Sequence, residues 1–153
     1  MNFVGVRQTT FGGPKTFPKE ERGNCFPACL ASLLQIPLKD IPHFYGLHDE
    51  EPPPSDPGRD TRAIFEWAKS WGYIPCSFQL TEEEELPEFY RESLEGQLVI
   101  LTGQSPRGDY YHCIIALVEN GKLKYFWDPH PDTTWILTRD SVEVWLKLPE
   151  IFV

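Results

Sequence analysis

The chain has 153 residues, with 14 basic against 23 acidic side chains and a net charge of −9, a balance that argues against a nucleic-acid surface, which needs a basic patch. No apolar stretch approaches the roughly 20 residues of a membrane span, and four cysteines without a signal peptide argue against a disulfide scaffold and for a reducing cytoplasm. One domain over residues 1–153 is the simplest reading, with 41% hydrophobic residues to build its core.

Asn2 to Gly23 is rich in Gly, Pro, Thr and charge, lacks a sustained period and reads as an irregular arm that carries Gln8. The arm leads into Gly23-Asn24-Cys25-Phe26-Pro27-Ala28-Cys29-Leu30-Ala31-Ser32-Leu33-Leu34, where an extended segment turns into an apolar helix. That helix is expected from Cys25 to Gln35: Pro27 is tolerated in the first turn, Ala28, Leu30, Ala31, Leu33 and Leu34 pack inward, and Pro37 ends it. Cys25 is the candidate nucleophile, because the unpaired amides and positive dipole end of a helix N-terminus favour thiolate over thiol. A small buried core residue would look the same locally, so the rest of the chain has to decide.

Pro37 to Phe44 suggests a short turn or helix with His43 at the surface, and the proline-rich segment His48 to Gly58 a surface loop at the rim of a site. Asp60 is expected to cap a helix from Thr61 to Trp71, with Ile64, Phe65, Trp67, Ala68 and Trp71 at helical spacing and Gly72 as its stop. Strand character runs from Tyr73 to Leu80, with Cys76 read as core. Thr81 and Glu84 form a capping-box pattern for a short acidic helix that buries Phe89, Tyr90 and Leu94; its glutamates read as a solvated face, not a metal site. Leu98 to Leu101 is a buried strand and Gly103 to Asp109 a loop. Tyr111 to Val118 and Lys122 to Trp127 form a hairpin about Asn120-Gly121, followed by a strand at Trp135 to Leu137 and a short helix or strand at Val142 to Leu148.

The hairpin decides the reading of Cys25. With Glu119-Asn120-Gly121 as a three-residue loop, Val118 faces Lys122 and His112 faces Asp128 directly, while Cys113, Ile115 and Leu117 face Trp127, Tyr125 and Leu123 on one apolar face. A two-residue loop leaves His112 and Asp128 diagonal. A thiol becomes a useful nucleophile when an imidazole takes its proton and a carboxylate fixes the imidazole tautomer, so Cys25, His112 and Asp128 form a complete set. His130 and Asp132 would replace Asp128 in another register. Cys29, one turn after Cys25, could share a zinc ion with Cys113 or His112, although its spacing is that of a core residue.

Cysteine at a helix start, histidine at a strand start and Asp128-Pro129 at the end of the next strand resemble the papain-like cysteine peptidases. More narrowly, the chain is similar to the leader peptidases that cut bacteriocin precursors after a double glycine, and to short phage and bacterial proteins that begin Gln-Thr and continue to Gly-(Asn/Asp)-Cys. The likeness spans about Gln8 to Ser32 and Tyr111 to Pro129, under half of the chain. It implies an oxyanion hole built from the Cys25 amide and an upstream glutamine. The usual place of that glutamine, six residues before the cysteine, is Lys19, so the role passes to Gln8 across an inserted loop, with Asn24 as the competing donor. Gly12-Gly13 reads as a flexible loop, not a cleavage site.

The expectation is therefore an α+β papain-like fold, with an N-terminal active-site helix packed on an antiparallel sheet. Function would be hydrolysis of a peptide or isopeptide bond through a thioester, with no metal or organic cofactor. The partner would be a polypeptide substrate, a flexible or basic tail, and neither nucleic acid nor a membrane; the phage likeness suggests a host-directed role. An acyltransferase or amidase with the same triad, or a catalytically silent binding module, are the alternatives.

Overall fold

The computed structural model describes residues 2–11, 23–44, 52–81 and 86–150. Helix α1 (Cys25–Leu34), a 3-10 turn (Leu38–Asp40), α2 (Arg59–Ser70), β1 (Tyr73–Gln79), α3 (Glu88–Ser93), β2 (Leu98–Gln104), β3 (Tyr111–Glu119), β4 (Lys122–Trp127) and β5 (Ser141–Lys147) follow one another along the chain. The strands make one antiparallel sheet in the order β1-β5-β2-β3-β4, so the class is α+β. Among the described residues no helix is long and apolar enough to cross a membrane.

α1 is apolar on nearly every side because it is covered twice. Phe26, Cys29, Leu30 and Ala31 pack into a cluster with Ile100, Cys113 and Ile115 of the sheet. The arm covers α1 elsewhere: Val6 N–H donates to Ser32 Oγ at 2.7 Å and the Gln35 side-chain amide donates to the Val4 carbonyl at 3.2 Å. Gln35 ends the helix in a left-handed turn, φ 56°, two residues before Pro37. α2 is amphipathic, burying Ile64 and Ala68 and leaving Phe65 exposed, as is Trp71 just past its end. Its N-cap is Gly58, not Asp60; Asp60 lies in the first turn, 2.9 Å from the Arg59 guanidinium.

The central strands β2 and β3 are buried on both faces, which corrects the single apolar face expected for the hairpin. Cys113 and Ile115 belong to the cluster under α1, whereas Ile114, Ala116 and Val118 join Leu86, Leu94 and Ile136 on the other side. The hairpin register differs too. Its loop is the two-residue pair Asn120-Gly121, both left-handed at φ 54° and 72°, and Glu119 pairs Lys122. A bulge between Ile115 and Ala116 then shifts the ladder, so that Ala116 pairs Tyr125 but Ile115 pairs Trp127.

Other expectations need correction. Trp135 to Leu137 is no strand, because Thr133 and Trp135 take positive φ values of 50° and 64° that an extended chain excludes. Ser141–Lys147 is the last strand, and β2 runs on to Gln104. Cys76, on the edge strand β1, is exposed, and so is Phe89. Gly12-Gly13, Lys19, His48 and the capping-box Glu84 lie outside the described residues.

Candidate active site

Cys25 is the first residue of α1 and is half-buried. Its N-cap, Asn24, makes no capping bond with its side chain. Instead Asn24 Oδ1 accepts the Thr9 and Thr10 amides at 2.9 and 3.1 Å, and its Nδ2 donates to Thr9 Oγ1 at 2.9 Å. Asn24 thus anchors the arm and, unlike Gln8, does not line the cavity that holds Cys25. Cys25 N–H, in the first turn, has no acceptor within the helix.

His112 is the second residue of β3 and is 2% exposed; its Nε2 lies 2.8 Å from Asp128 Oδ1. Asp128, 1% exposed, takes two more donors: the His130 amide on Oδ1 at 2.9 Å and the Trp135 amide on Oδ2 at 2.8 Å. The left-handed backbone at Trp135 is the local strain that aims its N–H at the carboxylate. Arg7 braces the same turn, donating to the Asp128 and His130 carbonyls at 2.9 Å each and lying 4.2 Å over the Trp127 ring. Asp128 lies beyond the ladder, so its side chain, not strand pairing, makes the link to His112. His130 and Asp132 face each other at 2.6 Å and leave His112 to Asp128.

With Nε2 committed to Asp128, Nδ1 is the nitrogen that His112 offers to Cys25. Hydrogen bonding from the Cys113 thiol and from His112 holds Cys25 well below the ordinary thiol range, although burial works against it. Burial alone would lower His112, but its bonds to Asp128 and Cys25 raise it to about 9. Burial opposes the Asp128 charge as well, yet the His112, His130 and Trp135 donors leave its carboxyl below the usual value. Both shifts run in the direction that favours a thiolate beside an imidazolium. Cys113 is the side chain that sequence reasoning left aside here; it follows His112 directly, contacts Thr102 Oγ1 at 3.4 Å, and its own thiol is pushed well up by Cys25 and by burial. Cys29 is fully buried in the core one turn below, with its thiol pushed up by burial and by the Cys25 charge. Among the described residues no three His, Cys, Asp or Glu side chains gather as metal ligands would.

Gln8 is brought to this place. It lines the same cavity as Cys25 and His112, its backbone N–H donates to the Pro129 carbonyl at 3.0 Å, and its Nε2 spends one hydrogen on the Thr10 carbonyl at 2.9 Å. The second Nε2 hydrogen remains for a ligand, and Oε1 is buried without a partner among the described residues. His43, expected at the surface, is half-buried with Nε2 3.0 Å from the Gly23 carbonyl, and it lines the cavity too. The cavity, lined in part by Cys25, holds about 450 Å³ and is partly open to solvent, a size that takes a side chain or short peptide segment. Comparison of the chain with protein-family models, with curated proteins and with solved structures returns no match.

Proposed function

We propose that the protein is a thiol hydrolase of papain-like architecture that cleaves a peptide or isopeptide bond through a thioester. The observation that carries this reading is the buried 2.8 Å bond between His112 Nε2 and Asp128 Oδ1, which leaves the other ring nitrogen to Cys25 in the wall of the cavity that both residues line. The Cys25 thiolate attacks the carbonyl carbon, and charge moves to the carbonyl oxygen, met by the Cys25 N–H and the free hydrogen of the Gln8 amide. Collapse expels the amine, which takes its proton from the His112 imidazolium, and leaves the acyl group on Cys25. His112, now neutral, takes a proton from water as the water attacks the thioester; the acid departs, and the thiolate and imidazolium are restored. Asp128 holds the ring orientation throughout.

Alkylation by iodoacetamide across pH tests the pair. Cys25 should react well below the ordinary thiol range, and His112→Ala should abolish that low-pH reactivity while alkylation at high pH persists. An ordinary thiol profile in the wild type, or one unchanged in His112→Ala, overturns the proposal. Mass spectrometry of cell-extract peptides treated with wild type or Cys25→Ala then identifies the bonds cut.

A further inference from the structure

The floor of the cavity is a polar strip across an otherwise apolar sheet face. Cys113 pairs Thr102, Thr102 pairs Ser141 and Ser141 pairs Gln79, making one continuous cross-strand row that starts beside the nucleophile. In the adjoining row Ile115 pairs Ile100, Ile100 pairs Glu143 and Glu143 pairs Ser77. Residues facing one another across strands share a face, and Cys113, Ile115 and Ile100 identify it as the face under α1. Thr102, Ser141, Gln79, Ser77 and Glu143 all line the cavity that holds Cys25.

Glu143 is the charge in this strip. Its Oε1 accepts the Trp145 indole N–H at 2.5 Å, which fixes the rotamer, and its Oε2 takes no hydrogen bond among the described residues. Arg107, which also lines the cavity, is turned 3.1 Å onto Asp132 and does not neutralise Glu143. Burial raises the Glu143 carboxyl, the behaviour of an acid whose charge lacks a compensating cation.

We propose that Glu143 anchors a specificity subsite for a basic side chain, lysine or arginine, placed within a residue or two of the scissile carbonyl. The proposal rests on the thiol-hydrolase reading of Cys25 and adds the substrate class to it. Two strand spacings, about 10 Å, separate β3 from β5, a distance covered by a long extended side chain together with a residue of backbone. Along that path Thr102 and Ser141 supply hydroxyls for the substrate backbone, and the carboxylate waits at the end for an ammonium or guanidinium.

The test uses acetyl-dipeptidyl acyloxymethyl ketones carrying arginine or its neutral isostere citrulline at either residue, with Cys25 labelling followed by intact mass. Wild type should be labelled at least tenfold faster by an arginine probe than by its citrulline twin. Glu143→Gln, whose amide oxygen can still accept the Trp145 bond, should bring the two rates together when each is divided by the iodoacetamide rate of the same protein, and Glu143→Asp should keep part of the preference. Equal rates in the wild type, or a preference that survives in Glu143→Gln, overturn the subsite. Binding of acetyl-arginine amide to Cys25→Ala, followed by NMR, separates the two claims. Binding lost in the Cys25→Ala, Glu143→Gln double variant supports the subsite even where no ketone labels Cys25, a result that would sink the hydrolase reading alone; binding equal in both proteins overturns the subsite.

Discussion

Asp128 gathers three N–H donors on two oxygens inside the protein, so Asp128→Asn cannot be a neutral exchange: an amide group has one acceptor oxygen and would turn an N–H toward another N–H. The variant should lose about 1–3 kcal/mol at neutral pH, and the loss should depend on pH. Asp128 sits below its ordinary value of 3.8 in the folded protein, so its contribution is present above that value and disappears as pH falls through the folded one. His112 works in the opposite sense: raised from 6.5 to about 9, it contributes below 6.5 and its contribution is lost as pH rises through about 9. Urea unfolding of wild type and Asp128→Asn across pH should therefore show the gap narrowing in acid, and a gap constant with pH would refute the buried-carboxylate account. At this scale the sequence was informative where chemistry and position coincide. Cys25 at a helix start, His112 at a strand start and Asp128 before Pro129 could each be found by their neighbours. Glu143 could not, because an acid between Val142 and Val144 reads as the solvent side of a strand, and only the sheet order shows that this face is roofed by α1. Asn24 was legible as a polar group near the thiol, but its commitment to Thr9 and Thr10 depends on where the arm returns.

Among elements, the hairpin shows how a correct turn signal can coexist with a wrong register. Asn120-Gly121 marks the reversal as its sequence predicts, with both residues left-handed, but the bulge adds one residue to β4 at Phe126. Phe126 turns outward to meet Phe3 edge-on at 5.0 Å, while Trp127 packs with the cluster under α1. Two consecutive aromatic residues are thereby both used, an outcome that depends on the arm and that pairing rules applied to β3 and β4 alone do not contain. Gly103 is the element-scale counterpart on the other side of β3. It pairs His112, and a Cβ there would meet the Thr138 carbonyl oxygen at 1.8 Å. Gly103→Ala must therefore displace either β2 or the segment before β5, and we expect it to destabilise the fold by about 2 kcal/mol and to weaken the His112-dependent part of Cys25 alkylation. A urea midpoint and an iodoacetamide rate equal to wild type would show that the approach of Thr138 to β2 is not required. Gly103 looked like the start of a loop in the sequence because glycine interrupts the apolar run; its strand role comes from that close backbone approach.

At the scale of the molecule, the net charge of −9 and the single carboxylate of the subsite make separable demands on a basic substrate. A field summed over many exposed charges acts at long range and is screened as the Debye length falls from roughly 30 Å at 0.01 M salt to 3 Å at 1 M. A contact with Glu143 inside the cavity is screened much less. For the arginine probe, the second-order rate of Cys25 labelling should accordingly fall several-fold over that salt range, while the citrulline probe changes little. Glu143→Gln removes one charge of many, so it should lower the arginine rate at every salt concentration yet keep nearly the wild-type salt slope. If the slope vanished with Glu143, the acidic surface would have no part in capturing substrate and attraction would lie in the pocket alone. If the arginine rate were independent of salt in both proteins, the excess of acidic residues would have to be explained by solubility and not by recognition.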